Sequence, residues 1–135
     1  MAARSKARKR AVDVLYEADL RGGDVLLLLR ERIADGHPPI GEHTVRLVEG
    51  AHLHGTDIDQ LISDHAQGWT LDRLPDVDRA ILRMAVFELL WVDDVPDAVV
   101  IDEAVELAKT LSTDDSAAYV NGVLAGILKA QIPTA

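Results

Sequence analysis

Five basic residues lie close together near the N-terminus, with no acid among them: Arg4, Lys6, Arg8, Lys9 and Arg10. Clustered cations of this kind can neutralise phosphate groups and are typical of segments that bind nucleic acid. The chain as a whole has a net charge of −9, so contact with nucleic acid is expected only at this end and its neighbourhood. The acidic remainder suits a basic protein partner. The alternative is that the cluster is only the solvated start of a helix.

Residues with catalytic spacing are much harder to find. The sequence contains no GxGxxG, GxxxxGK[ST], GxSxG or HExxH motif. His52 and His54 point to different sides of a helix, and the other histidines lack metal-ligand spacing. Adjacent carboxylates such as Asp114 and Asp115 do not form an acid–base pair, and the segment Asp114–Ser116 is interpreted as a helix cap. We therefore predict a protein that is not an enzyme and has no catalytic residue, metal or cofactor.

Length and composition indicate one domain. The chain has 135 residues, 48% of them hydrophobic, which is enough for one sizeable core. There is no cysteine, as is typical of a reducing cytoplasm. No secretory apolar segment follows the basic start, and the longest uncharged run, Ser116–Leu128, is too short to span a bilayer. We expect a cytoplasmic protein that does not cross a membrane.

Helical periodicity runs through nearly the whole chain, and no convincing alternating strand occurs. The predicted fold class is all-α. A break near Gly68 to Pro75 predicts two subdomains, about 1–67 and 68–135, within a single domain spanning 1–135. Predicted helices cover about Ser5 to Leu20, a segment capped by Asp24 and ending at Gly36, about Glu42 to Ala66, Asp76 to Val92, Val99 to Leu111, and Ser116 to Leu128.

Polar residues inside apolar runs require partners. Glu88 lies in VFELL and Asn121 in YVNGV, and a buried polar group without a hydrogen bond costs roughly 1–3 kcal/mol. We predict internal partners for both, with Arg83 or Lys109 for Glu88. Gly122 is predicted to permit a close helix contact.

The order and spacing of four segments resemble the NusB family of transcription antitermination factors. They are ARKRAVDVLYEADLRG, WTLDRLPDVDRAILRMAVFELL, DVPDAVVIDEAVELAKTLS and TDDSAAYVNGVL, which together cover most of the chain. Residues 23–44 match the family poorly. Asp102 stands where many members carry Asn, and Tyr119 where many carry Phe.

The resemblance implies a compact bundle of about seven helices in two subdomains, with TLDRL as an extra turn. It also implies binding of single-stranded boxA RNA from ribosomal RNA leader transcripts together with NusE, a small-subunit ribosomal protein, so that RNA polymerase reads through terminators. By position, the RNA-facing residues would be Arg4, Lys6, Arg8, Arg10, Asp97, Asp115 and Tyr119, to which the basic cluster adds Lys9. Tyr16, Asp72 and Asp78 would face NusE.

Tyr119 and Asp115 are the least ordinary members of that RNA-facing set. Single-stranded RNA is held by cations along its backbone and by aromatic faces beneath unstacked bases, which suits Tyr119, although its ring could instead belong to the core. Asp115 would have to accept a hydrogen bond from a base edge, because phosphate repels it.

Two other interpretations stay open. The chain could be the RNA-binding module of a ribosomal RNA methyltransferase, which would need a catalytic domain that these residues do not contain. It could also be a helical protein-interaction or DNA-binding module, although a DNA reader should concentrate bases on one recognition helix. The sequence does not distinguish a monomer from a homodimer.

Overall fold

The computed structural model describes residues 2–131 and shows seven α-helices and one short 3-10 helix, with no strand in that part of the chain. The all-α prediction is confirmed, and the TLDRL segment forms the predicted extra turn. The helices are α1 (Ala2–Arg21), α2 (Val25–Asp35), α3 (Glu42–Leu53), α4 (Gly55–His65), α5 (Asp76–Trp91), α6 (Asp97–Leu111) and α7 (Asp114–Gln131), and the 3-10 helix is Leu71–Arg73.

Local capping chemistry explains where α2 and α7 begin and end. The Asp24 carboxylate accepts the backbone N–H groups of Leu26 and Leu27, and Gly36 ends α2 with a left-handed φ of 70°. Both features of α2 were predicted. At α7 the cap is instead Thr113, whose Oγ1 accepts the Ser116 backbone N–H at 3.0 Å. The predicted cap at Asp114–Ser116 is therefore wrong, because those residues already form the first turn.

The single helix predicted from Glu42 to Ala66 is divided in two at His54 and Gly55. Gly55 has a low helix propensity, and the His54 N–H still donates to Gly50 O at 3.0 Å before α4 begins. The His54 ring stacks on Trp91 of α5 with 4.2 Å between ring centroids. This stacking holds the α3–α4 junction against α5.

Helix α5 is the centre of the core. It packs against α1, α3, α4, α6 and α7, and nearly all of its residues from Asp78 to Leu89 are buried. Since α5 joins helices from both halves of the chain, the division into two subdomains stays a prediction. No helix within residues 2–131 is long and apolar enough to cross a bilayer.

Close backbone approaches occur at other glycines than the predicted one. Gly50 of α3 lies directly against the ring of Phe87, while a Cβ added at Gly126 would lie 3.2 Å from the His65 ring. Gly122 has no neighbour within 4 Å of such a Cβ, and Asn121 is exposed. The predictions of a close contact at Gly122 and an internal partner for Asn121 are wrong, because this side of α7 faces outward.

Candidate nucleic-acid interface

The basic cluster forms the first turns of α1, and its members face different surroundings. Lys6 and Lys9 are exposed, and together with residues of α6 they line a groove between the two helices. Arg4 and Arg10 are half-buried. Arg10 Nη1 lies 3.9 Å from Asp13 Oδ2. The cations available to a ligand are therefore Lys6 and Lys9 in full and Arg4 and Arg10 in part.

Arg8 is an exception, because its side chain is only 2% exposed. Its guanidinium makes two parallel hydrogen bonds to Glu88, from Nε to Oε1 and from Nη2 to Oε2, both at 2.7 Å. Arg8 Nη1 also donates to Glu103 Oε1 at 3.1 Å, and Ser5 Oγ donates to the same oxygen at 2.5 Å. The assignment of Arg8 to direct RNA contact is corrected: its charge is fully used in fixing α1 to α5 and α6.

Glu88 has a second partner in His43. The His43 Nε2 lies 3.1 Å from Glu88 Oε2, and Glu88 itself is completely buried. The predicted partners Arg83 and Lys109 are wrong for Glu88, since Arg83 bonds to Asp59 at 2.8 Å. Burial lowers the pKa of His43 despite the opposing effect of Glu88 beside it.

This lowered pKa predicts an acid-sensitive fold. Below the unfolded-state pKa of 6.5, the unfolded chain takes up a proton at His43 that the native protein resists binding. Stability is therefore expected to be fully present above that pH and to fall as pH decreases toward the native pKa. Urea denaturation at pH 7.5 and 5.5 should show a smaller loss for His43→Gln than for the wild type. His52→Gln, which removes an exposed histidine, is the control. Equal losses of stability in the wild type and in His43→Gln would contradict this role of His43.

A second locus is a recess of about 230 Å³ between the start of α5 and the start of α7. Two buried polar atoms at its wall have no hydrogen-bond partner in the described part of the chain, Asp78 Oδ1 and Tyr119 Oη. Burial raises the pKa of Tyr119, and the nearby charge of Asp78 acts in the same direction. The recess is lined by Trp69, Leu74, Pro75, Asp78, Asp115, Ser116 and Tyr119.

The chemistry of this recess suits an unstacked nucleobase. Trp69 is 49% exposed and offers an aromatic face, as does the half-buried Tyr119. Asp115 is exposed and can accept a base N–H. Trp69 was given no role from the sequence, although its position in WTLDRL was a signal for it.

Asp78 does not lie on the open surface. It is 3% exposed and lies at the wall of the recess, so its assignment as a direct contact for a protein partner is corrected. Asp72 in the 3-10 helix is exposed, and its pKa is lowered chiefly by a hydrogen bond from the Thr70 hydroxyl. Tyr16 is half-buried against the core.

Arg79 connects these partner-side residues. Its Nη1 donates to Leu71 O at 3.1 Å and Leu74 O at 3.0 Å, while Nη2 donates to Asp19 at 2.7 Å. Arg79 of α5 thereby bridges the segment that carries Asp72 to Asp19 of α1, one turn beyond Tyr16. Exposed Asp72 and half-buried Tyr16 consequently lie on neighbouring segments.

Two further features lie near the N-terminal end of α1, away from Asp19. Asp97 is exposed at the first position of α6. Beside it, Asp94 pairs with two arginines from different helices: Arg4 Nη2 lies 3.0 Å from Oδ2, and Arg46 Nη1 lies 3.8 Å from Oδ1. Sequence reasoning gave Arg46 no role. Within residues 2–131, no group of three or more histidines and carboxylates is arranged to hold a metal ion.

Comparisons with known proteins agree on one family. The family model described as NusB family matches residues 5–129. The "Transcription antitermination protein NusB" of Saccharopolyspora erythraea is 62% identical over 129 residues, covering 94% of this chain and 87% of the relative. That of Acidothermus cellulolyticus is 58% identical over 127 residues, with 94% and 88% covered.

Solved structures give the same result. NusB from T. maritima superposes with a TM-score of 0.85 at 34% identity, covering 96% of this chain and 93% of that one. A chain from a crystal structure of antitermination factors NusB and NusE in complex with dsRNA gives a TM-score of 0.84 at 33% identity, covering 96% and 98%.

Proposed function

This chain belongs to the NusB family of transcription antitermination proteins, and on that premise we propose that it binds boxA RNA together with NusE so that RNA polymerase reads through terminators. The family assignment supports the prediction that the protein is not an enzyme. We place this activity in the cytoplasm, where transcription and ribosomal RNA synthesis occur together. The observation that carries the RNA part of the proposal is the recess at Asp78 and Tyr119.

The recess supports single-stranded RNA as the ligand. A duplex keeps its bases stacked and their pairing edges occupied, whereas the recess beside Trp69 and Tyr119 suits a single unstacked base. The structural neighbour crystallised with NusE contains dsRNA, so RNA binding is a property of a close structural relative. An unpaired base that leaves the strand and enters the recess would pack beside Trp69 and Tyr119, with exposed Asp115 at the same wall.

Helix α1 connects the recess to the basic cluster. It runs antiparallel to α5, because Arg8 pairs with Glu88 near the end of α5 and Asp19 pairs with Arg79 near its start. The recess lies at the start of α5, so the Asp19 end of α1 is near it and the lysines lie toward the other end. Lys9 is ten residues from Asp19, or roughly 15 Å along the helix. A strand bound in the recess can therefore have its backbone phosphates reach Lys9 and Lys6.

Protein binding is assigned to the segments that Arg79 joins. Asp72 offers a negative charge and Tyr16 an aromatic contact, which complements a basic ribosomal protein. The buried Asp78 would contribute only from within the recess. The methyltransferase alternative is not favoured, since the relatives that are 62% and 58% identical are both antitermination proteins.

The test of this proposal is fluorescence anisotropy of labelled single-stranded boxA RNA and a scrambled control at fixed salt, each with and without purified NusE. Selective binding of boxA that NusE enhances would support the adaptor function. Equal binding of both RNAs, unaffected by NusE, would exclude it. Sedimentation of the free protein would distinguish the monomer from the homodimer that the sequence left open.

Each of the substitutions Lys6→Ala and Lys9→Ala is expected to flatten the salt dependence of boxA binding by about 0.7 log units per decade of salt, because each removes one exposed phosphate contact. The measurement is the affinity for boxA RNA at salt concentrations from about 0.05 to 0.5 M, a range of roughly one decade. Arg30→Ala is the matched control, since it removes one positive charge from the exposed side of α2. If the salt dependence has the same slope in all three variants, Lys6 and Lys9 are not part of the RNA-binding surface.

Tyr119→Ala is expected to lower boxA affinity by roughly 1–3 kcal/mol through loss of base stacking. Tyr119→Phe keeps the aromatic face and removes a buried hydroxyl that has no partner in the described chain. It should retain most of the affinity and leave the fold at least as stable. If the alanine variant unfolds while the phenylalanine variant binds normally, the ring belongs to the core and stacking is not its role.

A further inference from the structure

Asp94 pairs with both Arg4 and Arg46 at the surface of the protein. Two guanidiniums from α1 and α3 approach opposite oxygens of one carboxylate in the turn between α5 and α6. The exposed fractions of the three side chains are 38% for Arg4, which is half-buried, 48% for Arg46 and 55% for Asp94. These three side chains carry one net positive charge, beside the exposed carboxylate of Asp97, on a surface that a ligand can reach.

Two guanidiniums beside one carboxylate are also suited in charge to a phosphate group. A guanidinium presents paired N–H donors that fit phosphate oxygens, and a phosphate group can engage two arginines at once. In the free protein Asp94 occupies the anion position. The Arg4 hydrogen bond lowers the pKa of Asp94, so the carboxylate stays ionised at neutral pH and opposes a second anion.

The surroundings add a place for the rest of a nucleotide. A recess of about 250 Å³ adjoins Arg4 and Asp94, and its wall includes the apolar side chains of Val95, Pro96 and Val99. Apolar walls beside a phosphate site suit a sugar or base. Arg4 belongs to the same basic cluster of α1 as Lys6, but it lines a different groove from the one that Lys6 and Lys9 line.

Building on the proposed function, we infer that Arg4 and Arg46 bind one backbone phosphate of the RNA in place of Asp94, and that the adjoining recess holds the attached nucleoside. Exchange is energetically feasible because an exposed ion pair contributes little to stability and can open without disturbing the core. Arg46 thereby extends the RNA-binding surface from α1 onto α3. Asp94 acts as a competitor that limits the affinity of this end of the surface.

The experiment measures binding of the labelled single-stranded boxA RNA to Arg46→Ala and Asp94→Asn over a range of salt. Arg46→Ala is expected to flatten the salt dependence by about 0.7 log units per decade and to weaken binding about fourfold at 0.15 M salt. Asp94→Asn is expected to tighten binding about two- to fivefold, since the competing charge is gone. Arg30→Ala on α2 is the control for the loss of one charge, and thermal unfolding checks that each variant is folded.

The outcomes separate this inference from the function on which it rests. If Lys9→Ala changes the salt slope but Arg46→Ala matches Arg30→Ala, RNA binding stands and the Arg4–Arg46 phosphate site is wrong. Weaker RNA binding by the Asp94→Asn variant would overturn the inference that Asp94 competes with phosphate. It would mean instead that Asp94 positions the two arginines for the ligand. If the wild type shows no preference for boxA and Lys9→Ala has no effect, the proposed function itself fails.

Discussion

Replacing Glu88 by alanine is expected to lower the free energy of unfolding by about 3–5 kcal/mol, because it leaves the buried Arg8 guanidinium without its principal partner. Glu88 accepts two hydrogen bonds from Arg8 and contacts His43, and after the substitution only Glu103 remains near the charge. Desolvation of an ion that is no longer compensated dominates this loss. Chemical denaturation at neutral pH measures it.

Two companion variants isolate the cause. Glu106→Ala removes an exposed carboxylate of α6 and should change stability by no more than about 0.5 kcal/mol. The double variant Arg8→Met with Glu88→Leu removes both charges and fills the space with apolar atoms, so it should be more stable than Glu88→Ala alone. A loss below about 1 kcal/mol for Glu88→Ala would mean that water or local rearrangement compensates Arg8.

Gly50→Ala is expected to destabilise the protein by about 1–3 kcal/mol, the usual cost of overpacking a well-filled core. The added methyl group would overlap the ring of Phe87, which is 6% exposed. This ring lies nearly parallel to that of Trp91, with 6.0 Å between the ring centroids. The ring cannot move aside without disturbing its aromatic neighbours, so α3 and α5 have to separate. Denaturation midpoints of the purified variants measure the effect.

The same substitution at Gly122 should have the opposite sign. Gly122 lies inside α7 with open space where a Cβ would be, so alanine there is expected to stabilise the helix by about 0.5–1 kcal/mol. A suppressor gives a second check: Phe87→Leu shortens the obstructing side chain and should reduce the cost of Gly50→Ala. If both glycine variants behave alike, the contact between Gly50 and Phe87 does not determine stability.

The helices could be predicted from the sequence because their signals are local. Apolar spacing in α5, the carboxylate of Asp24 and the glycine at position 36 act within a few residues of where they stand. The division at His54 was missed since Gly55 weakens a helix without forbidding it. What holds that junction is the stacking on Trp91, a residue far away in sequence.

The candidate site was predictable only in part, for a similar reason. Arg8 was grouped with its exposed neighbours by charge, although it precedes Ala11, Val12 and Leu15 at helical spacing and so shares their inward face. Glu88 was expected to pair nearby, but its cation comes from 80 positions earlier. Composition and periodicity contain no information about ion pairs between residues so far apart in sequence. Asp78 was placed on the surface because nothing in its local sequence shows the recess behind it.

The pair of Arg8 and Glu88 also determines what RNA binding costs. The first turns of a terminal helix normally fray, and a flexible basic arm would lose conformational entropy each time it docked on a ligand. Here Arg8 fastens those turns to the most buried helix of the protein, so Lys6 and Lys9 are already ordered when RNA arrives. That entropy is lost once, during folding, and a rigid cationic face is left for every subsequent encounter.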